Sequence, residues 1–286
     1  MRIKILVLAT LGLTVAAPAL SQTPPSRPGS SPQAFAPDPQ SPRPIKARNS
    51  VWIEHLTWME IRDAIKSGKT TVIIPTGGVE QNGPYLVTGK HNVILSATAE
   101  AVARKLGDAL VAPIVPFVPE GAIEPPTDAM LYPGTISVEA STYTALLRDI
   151  ARSLKAHGFK RIVFIGDSGG NQAGMKEVAE ELNKRWEGSE TRALFIPEYY
   201  DWPARQQWLA KRGYREVDEG LHDELSATAI MLSVDPHSIR MKERVAAGKF
   251  TTNGVALAPT AKTARLGRAL IDHIAELTTQ AVRDRR

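Results

Sequence analysis

Short apolar runs alternate with segments of helical periodicity along most of this chain, and this alternation constrains its fold more than any other feature. The apolar runs have the length of buried strands and lie at 71–74, 109–117, 161–165 and 193–196. Strands that alternate with helices pair in parallel, because each helix returns the chain to the same end of the sheet. We therefore expect a single α/β domain, a three-layer α/β/α sandwich whose central sheet is mostly parallel.

Helical patterns fill the spaces between the predicted strands. Thr57 and Glu60 have the spacing of a capping box, and the apolar face that follows them predicts a first helix after residue 57. Further helices are predicted at 93–106, 137–157, 172–186, 225–232 and 262–283.

The composition excludes several classes of function. The chain has no cysteine, so disulfides, thiolate ligands and cysteine nucleophiles are all excluded. Any metal ion must then be bound by His, Asp or Glu side chains. The formal net charge is +5, but the basic residues are mixed with acidic ones and form no basic run with interleaved aromatics. Nucleic acid is therefore not an expected partner.

The first 21 residues have the pattern of a cleaved secretory signal. Two positive charges precede an apolar stretch at 5–13 that is too short to span a bilayer, and small residues follow it. Residues 22–49 are rich in Pro, Ser and Gln and predict a disordered tether, so the folded domain is expected at 50–286. These patterns predict export to a bacterial periplasm or secretion, with no membrane attachment after the signal is removed.

A glycine-rich loop at 75–92 lies between the first predicted strand and the helix that follows it. The loop carries a carboxylate, an imidazole, an amide and a phenol at Glu80, His91, Asn82 and Tyr85. Open α/β sheets place ligand sites at the carboxyl ends of their strands, where a carboxylate and an imidazole can both bind a divalent metal. The loop alone leaves open the alternative that these side chains are only solvated.

The turn at 166–170 reads Gly-Asp-Ser-Gly-Gly and joins a predicted strand to a predicted helix. This context excludes the trypsin-like proteases, which share these letters but are all-β. The same letters fit the G-x-S-x-G nucleophile elbow of α/β-hydrolases. A serine hydrolase with Ser168 as nucleophile and His222 or His273 as base is therefore one alternative function.

The ordered set of motifs resembles the creatininase family (creatinine amidohydrolase and relatives) over about residues 52–239. The matching segments follow the family's order at 75–84, 86–91, 132–137, 157–171 and 222–236. The resemblance implies a three-layer α/β/α domain, often assembled as a hexamer, so a homo-oligomer is expected. It also implies metal-assisted hydrolysis of a C–N bond in a small cyclic or linear amide, with one or two divalent ions.

Position by position, the chain keeps part of the metal-binding apparatus that the resemblance implies. Glu80 matches the family's metal-binding Glu, and His91 stands where the family has a bridging Asp. Asn82, Tyr85 and Ser168 stand where the family has histidines. These differences predict one metal ion rather than two, because amide and hydroxyl oxygens are poor ligands for zinc. Zinc, manganese and iron all suit the remaining ligand types.

Three further side chains are candidates to complete this site. A third ligand would come from Asp167, His222 or Glu224, and Asp167 adjoins the position of the missing histidine. His222 matches a histidine thought to shuttle protons in the family, although Ala227 replaces the acid that usually follows it five residues later. Glu224 is a candidate catalytic acid. Contacts to the substrate are expected from Asn82, Tyr85, Asn171 and Trp202.

Two hypotheses about the function of the whole chain follow from the resemblance. In the first, the chain is a metal-dependent amidohydrolase that acts on a small-molecule substrate after export. In the second, it is a binding or scaffold protein that keeps the fold and has lost catalysis, as the replacements at Asn82 and Ser168 suggest. Metal content separates the first reading from the second.

Overall fold

Residues 37–285 are described by the computed structural model of this chain, so the predicted signal at 1–21 and the first part of the predicted tether lie outside the described residues. The chain divides into two compact units, 1–42 and 43–286. In the described part of the first unit, the Ser41 amide donates to the Asp38 carbonyl over 2.9 Å. The second unit contains the sheet, the helices and every predicted site residue.

Four parallel strands form the central sheet: β1 (Thr71–Thr76), β2 (Ala109–Val111), β3 (Arg161–Gly166) and β4 (Arg192–Phe195). Their order is β2-β1-β3-β4, so β1 and β3 are the two inner strands. Trp52 adds an isolated parallel bridge to Val111 at the β2 edge. A second, antiparallel pair consists of β5 (Thr251–Thr252) and β6 (Val255–Ala256).

The described α-helices are α1 (Trp58–Lys66), α2 (Lys90–Leu106), α3 (Ala140–Ala156), α4 (Gln172–Arg185), α5 (Trp202–Ala210), α6 (Leu225–Val234), α7 (Met241–Ala246) and α8 (Thr260–Asp284). One hydrophobic cluster joins one face of the sheet to α2, α6 and α8. A second cluster joins the other face to α1, α3 and α4. Within residues 37–285, no helix combines the length and the apolar character that crossing a membrane requires.

The inner positions of β1 and β3 in the sheet explain why their sequences are continuously apolar. Ile73 and Val163 point into the cluster with α2, α6 and α8, while Val72 and Phe164 point into the opposite cluster. Successive strand residues face opposite sides, so a sheet covered on both faces must be apolar at every position. This arrangement confirms the predicted three-layer fold with a mostly parallel sheet.

Several element boundaries differ from those predicted, and two of the differences affect the site. Strand β2 ends at Val111 rather than at 117, because Pro113 and Pro116 cannot donate ladder hydrogen bonds. Helix α2 begins at Lys90 rather than at 93. His91 therefore lies on the first turn of a helix, which fixes its side chain more firmly than a loop would.

Candidate active site

Glu80 enters the site from the loop that follows β1. The Glu80 amide donates to the Thr88 carbonyl over 3.1 Å, and the Asn82 side-chain amide donates to the Glu80 and Val87 carbonyls over 2.9 and 3.2 Å. These bonds fold the loop back on itself and bury the Glu80 carboxylate. A buried carboxylate requires a charged or hydrogen-bonding partner.

His91 supplies that partner and also contacts a second carboxylate through its other ring nitrogen. Its Nε2 lies 2.5 Å from Glu80 Oε1, and its Nδ1 lies 3.0 Å from Oδ2 of Asp167, which directly follows β3. The other Asp167 oxygen lies 3.5 Å from the Arg205 guanidinium. Because an ionised carboxylate can only accept, Nδ1 carries a proton. A carboxylate behind a histidine in this way orients the opposite nitrogen toward a metal.

Glu120 is a third buried acidic side chain, and it is not among the ligands that the sequence predicts. It lies in the loop after β2, where its Oε2 accepts a hydrogen bond from Ser168 Oγ over 3.1 Å. Its Oε1 is buried without a hydrogen-bond partner. Gly78 leaves room for it, since a Cβ at that position would lie 2.1 Å from Glu120 Oε1. The sequence signal that could have identified Glu120 was its position, as an acidic residue, beyond the carboxyl end of β2, the strand beside β1.

Glu80, His91 and Glu120 bring three metal-ligating atoms together. Within residues 37–285 they are the one group of His, Asp or Glu side chains that could hold a metal ion, with donor atoms within 4.8 Å of one another. Asp167 is outside this group, because it bonds to the far nitrogen of His91. The structure therefore gives Asp167 an orienting position, whereas the sequence predicts a ligand.

The protonation of this group reflects how close its charges lie. Burial raises the pKa of Glu120 to about 8, and the neighbouring Glu80 charge adds to this effect. Burial would lower the pKa of His91, but hydrogen bonds to Asp167 and Glu80 raise it to about 9. Burial also acts to raise the pKa of Glu80, but the His91 hydrogen bond and nearby positive charges lower it on balance. At pH 7 the group therefore holds protons at positions that a divalent ion could take.

His222 stands beside this group on the loop that precedes α6. Its backbone is in the left-handed region, with φ 62°, which is uncommon for a residue other than glycine. Its Nδ1 lies 3.1 Å from the Gln81 carbonyl, so Nδ1 donates there. Its Nε2 lies 3.6 Å from Glu80 Oε1, and the side chain is 37% exposed. Its Nε2 therefore faces the acidic side chains of the site.

The residue after His222 anchors this loop in the core. Asp223 Oδ2 pairs with the Arg244 guanidinium over 2.7 Å, and both side chains are fully buried. Arg244 also donates to Thr252 Oγ1 over 2.6 Å, which ties the loop to the β5–β6 hairpin. The position of His222 therefore depends on a buried ion pair one residue away.

Two cavities adjoin the group, and His222 lines both. The larger, about 610 Å³, is lined by Glu80, Glu120, Leu131 and Tyr132 among others. The smaller, about 250 Å³, has His91, Lys90, Glu224, Tyr200 and Trp202 in its wall. The larger cavity thus gives access to Glu80 and Glu120, and the smaller one gives access to His91.

The two predicted substrate-binding amides brace the loops around β1. Asn171 is fully buried and donates to the Thr76 and Gly77 carbonyls over 3.0 and 3.1 Å. Asn82 uses its amide inside its own loop. Neither residue is among those that line the two cavities. Asn82 therefore positions Glu80, and Asn171 fixes the turn after β3 against the end of β1.

The remaining predicted residues lie in different surroundings. Trp202 and Glu224 line the smaller cavity. Tyr85 packs below the guanidinium of Arg244, whose central carbon lies 5.0 Å from the ring centre. Of these residues, Trp202 and Glu224 are placed to contact a bound molecule.

Ser168 is buried in the turn after β3 and donates its hydroxyl to Glu120. His222, the predicted base for a serine nucleophile, instead contacts the Gln81 carbonyl and Glu80. His273, the other predicted base, stacks on Trp208 with ring centres 5.1 Å apart. This geometry offers Ser168 a carboxyl partner rather than the histidine that an activated serine requires.

Comparison with known proteins identifies relatives of this chain. The family model for creatininase, described as creatinine amidohydrolase, matches residues 54–282. The chain is 27% identical over 194 residues to the creatinine amidohydrolase of Pseudomonas putida, which covers 65% of this chain and 73% of that protein. It is 33% identical over 122 residues to the mycofactocin precursor peptide peptidase of Mycolicibacterium smegmatis, covering 41% of this chain and 46% of the peptidase.

Solved structures share the fold. A mutant creatininase titled type II superposes with a TM-score of 0.61 at 21% identity, covering 82% of this chain and 98% of that one. A putative creatinine amidohydrolase from Bacteroides fragilis gives a TM-score of 0.57 at 18% identity, with coverage of 82% and 97%. Two further creatininase structures are named as a zinc–zinc type and as a manganese form.

The family model spans most of the chain, so this protein belongs to the creatininase family, and the resemblance predicted from its motifs is confirmed. The names of its relatives are those of hydrolases. They confirm the predicted enzyme class, a hydrolase of C–N bonds.

Proposed function

We propose that this creatininase-family protein is a metal-dependent amidohydrolase that cleaves a C–N bond of a small cyclic or linear amide. The observation that carries the proposal is the buried group of Glu80, His91 and Glu120, with Asp167 behind the imidazole. The relatives' names support C–N hydrolysis. The zinc–zinc and manganese forms named among the related structures support a divalent ion of one of these kinds.

The donor set fits such an ion. The buried Glu120 Oε1 has no hydrogen-bond partner, and a cation among the three donors would satisfy it. The same cation would balance the two facing carboxylates of Glu80 and Glu120. Three protein ligands with an open position are the usual catalytic arrangement for zinc, and manganese and iron accept the same donors. We propose one ion, because the described residues offer one such group.

Glu80 Oε, Glu120 Oε and His91 Nε2 would hold the ion. When bound, it would supply Lewis acidity toward an amide carbonyl and lower the pKa of water. Asp167 keeps the Nδ1 proton of His91 in place, so Nε2 is the nitrogen that would give up its proton and ligate. The Gln81 carbonyl does the same for His222, whose Nε2 faces the site as a base. His222 would take a proton from the attacking water and return it to the leaving nitrogen.

Chelation and reloading test this function. The protein is stripped of metal, reloaded separately with zinc or manganese, and assayed on creatinine, simple lactams and short linear amides. We expect hydrolysis of at least one amide class after reloading and none before it. Equal activity in the stripped and reloaded protein, or no metal uptake at all, would overturn the proposal.

We also propose that the protein acts after export, in the periplasm or the medium, and as a homo-oligomer. The pattern of residues 1–21 supports the first statement, and membership of the creatininase family supports the second. The mature N-terminus and the cellular fraction, measured in a bacterial host, test export. Light scattering on the purified protein tests the oligomer.

A further inference from the structure

We propose that the Lys90 ammonium is the second cation of this site and takes the place of a second metal ion. This inference rests on the one-metal site proposed above. Lys90 is the first residue of α2 and directly precedes His91. It is only 2% exposed, which is rare for a lysine unless its charge is compensated nearby.

The surroundings of Lys90 are two carboxylates and a carbonyl. Its Nζ lies 4.0 Å from Glu80 Oε1 and 3.9 Å from Glu224 Oε2. It donates a hydrogen bond to the His222 carbonyl over 3.2 Å. The carboxylate distances exceed the hydrogen-bond range, so the ammonium acts on both carboxylates as a charge placed between them. Lys90 thus links the metal-binding group to the loop that carries His222.

Glu224 is free to take part in this arrangement. It is the N-cap residue of α6, but its side chain makes no capping hydrogen bond. Together with His222 it lines the smaller cavity, and so does Lys90. Without the ammonium, Glu224 and His222 would remain in the wall of this cavity, and Glu80 Oε1 lies 3.6 Å from His222 Nε2. These are ligand types that a divalent ion accepts. With the ammonium present, the carboxylates are balanced and a second divalent ion is repelled.

A surface pair of the same separation shows what burial adds. Lys176 Nζ lies 4.0 Å from Glu180, but the two side chains are 65% and 62% exposed. Water screens that pair, so it contributes little. Lys176 therefore provides a control with matched geometry and different burial.

Zinc stoichiometry tests the inference. Calorimetric titration and elemental analysis are carried out on the wild type, Lys90→Ala, Lys90→Arg and Lys176→Ala. We expect one equivalent in the wild type, Lys90→Arg and Lys176→Ala, and two in Lys90→Ala. The second equivalent should bind Lys90→Ala on the order of 100-fold more tightly than it binds the wild type. A Lys90→Ala protein that still takes up one equivalent would overturn the inference.

A second measurement needs no zinc, and it can still be made if the Lys90→Ala variant folds poorly. n-Propylammonium restores the atoms that Lys90→Ala removes, whereas 1-propanol lacks the charge. We expect n-propylammonium to raise the melting temperature, or the refolding yield, of metal-free Lys90→Ala in a saturable way, with no such effect on the wild type. An equal effect of the two compounds would contradict the inference. If the wild type binds no zinc, the proposed function fails, and this measurement still decides the role of Lys90.

Discussion

The Nδ1 atom of His91 lies 3.0 Å from Oδ2 of Asp167, while Nε2 of the same ring faces Glu80. The Asp167 carboxylate therefore determines which nitrogen of the ring is available to a metal. Arg205 in turn lies 3.5 Å from the other Asp167 oxygen and balances its charge. The orientation of the only histidine in the metal-binding group thus depends on a residue that the sequence predicts as a ligand.

Replacement of Asp167 tests this orienting role. Asp167→Asn keeps the shape of the side chain but removes the charge that makes the His91 imidazole a better ligand. We expect zinc affinity to fall by about 10- to 100-fold, with the stoichiometry unchanged. The measurement is a competition titration against a zinc chelator. The exposed Asp149→Asn is the control, and an unchanged affinity in Asp167→Asn would contradict the orienting role.

Zinc affinity should depend on pH in a defined direction. Without metal, the pKa of His91 is about 9 and that of Glu120 is about 8. Both groups hold a proton at pH 7 and must release it to bind zinc, so affinity should rise with pH up to about 9 and then level off. Calorimetry at pH 7 in buffers of different ionisation enthalpy should show release of about two protons per zinc. Binding without proton release would show that these groups are not the ligands.

Loss of His222 should separate chemistry from metal binding. His222→Asn removes the proton-accepting Nε2 while leaving Glu80, His91 and Glu120 in place. We expect kcat on an amide substrate to fall by about 10²- to 10⁴-fold while the zinc content stays the same. The exposed His237→Asn is the control. A variant with normal kcat would remove His222 from the mechanism.

The buried pair of Arg244 and Asp223 should matter for stability as well as for the His222 loop. Arg244→Leu leaves the Asp223 carboxylate buried and unpaired. We expect a loss of about 3–5 kcal/mol in the free energy of unfolding, measured by urea denaturation. Arg152→Leu breaks an exposed pair with Asp149 and should cost less than about 1 kcal/mol. Equal losses in the two variants would contradict the role of the buried pair.

Much of the fold could be predicted from the sequence because local signals and packing agree. The Thr57 and Glu60 capping box forms with both of its hydrogen bonds and starts α1 where expected. The continuous apolar runs become the inner strands of a sheet covered on both faces. Helix α5 was not predicted, although Asp201 caps its first turn by accepting from the Ala204 amide. Short aromatic segments give weak periodicity, so the signals for this helix were the Asp201 cap and the proline in its first turn.

The site was less predictable, because its third donor comes from a distant loop. Glu80 and His91 stand 11 positions apart on one loop–helix segment, and the strand–loop–helix pattern places them at the same edge of the sheet. Glu120 reaches them from the loop after β2, and only the tertiary fold shows that Gly78 leaves space for its carboxylate. Asn82 and Asn171 were predicted to contact substrate, but in the structure their side-chain amides donate to backbone carbonyls. Those carbonyls come within reach only in the folded protein, so the sequence could not indicate this role.

The metal content of Glu120→Gln tests the central claim most directly. Glu120→Gln removes one ligand charge at nearly constant shape, and Glu124→Gln on the same loop is an exposed control. Proteins are purified without chelators and analysed for zinc, manganese and iron, beside the Glu80→Ala/His91→Ala double variant. We predict about one equivalent in the wild type and in Glu124→Gln, and a loss of most of it in Glu120→Gln and in the double variant. Equal metal content in all four proteins, or none in the wild type, would contradict the proposed site.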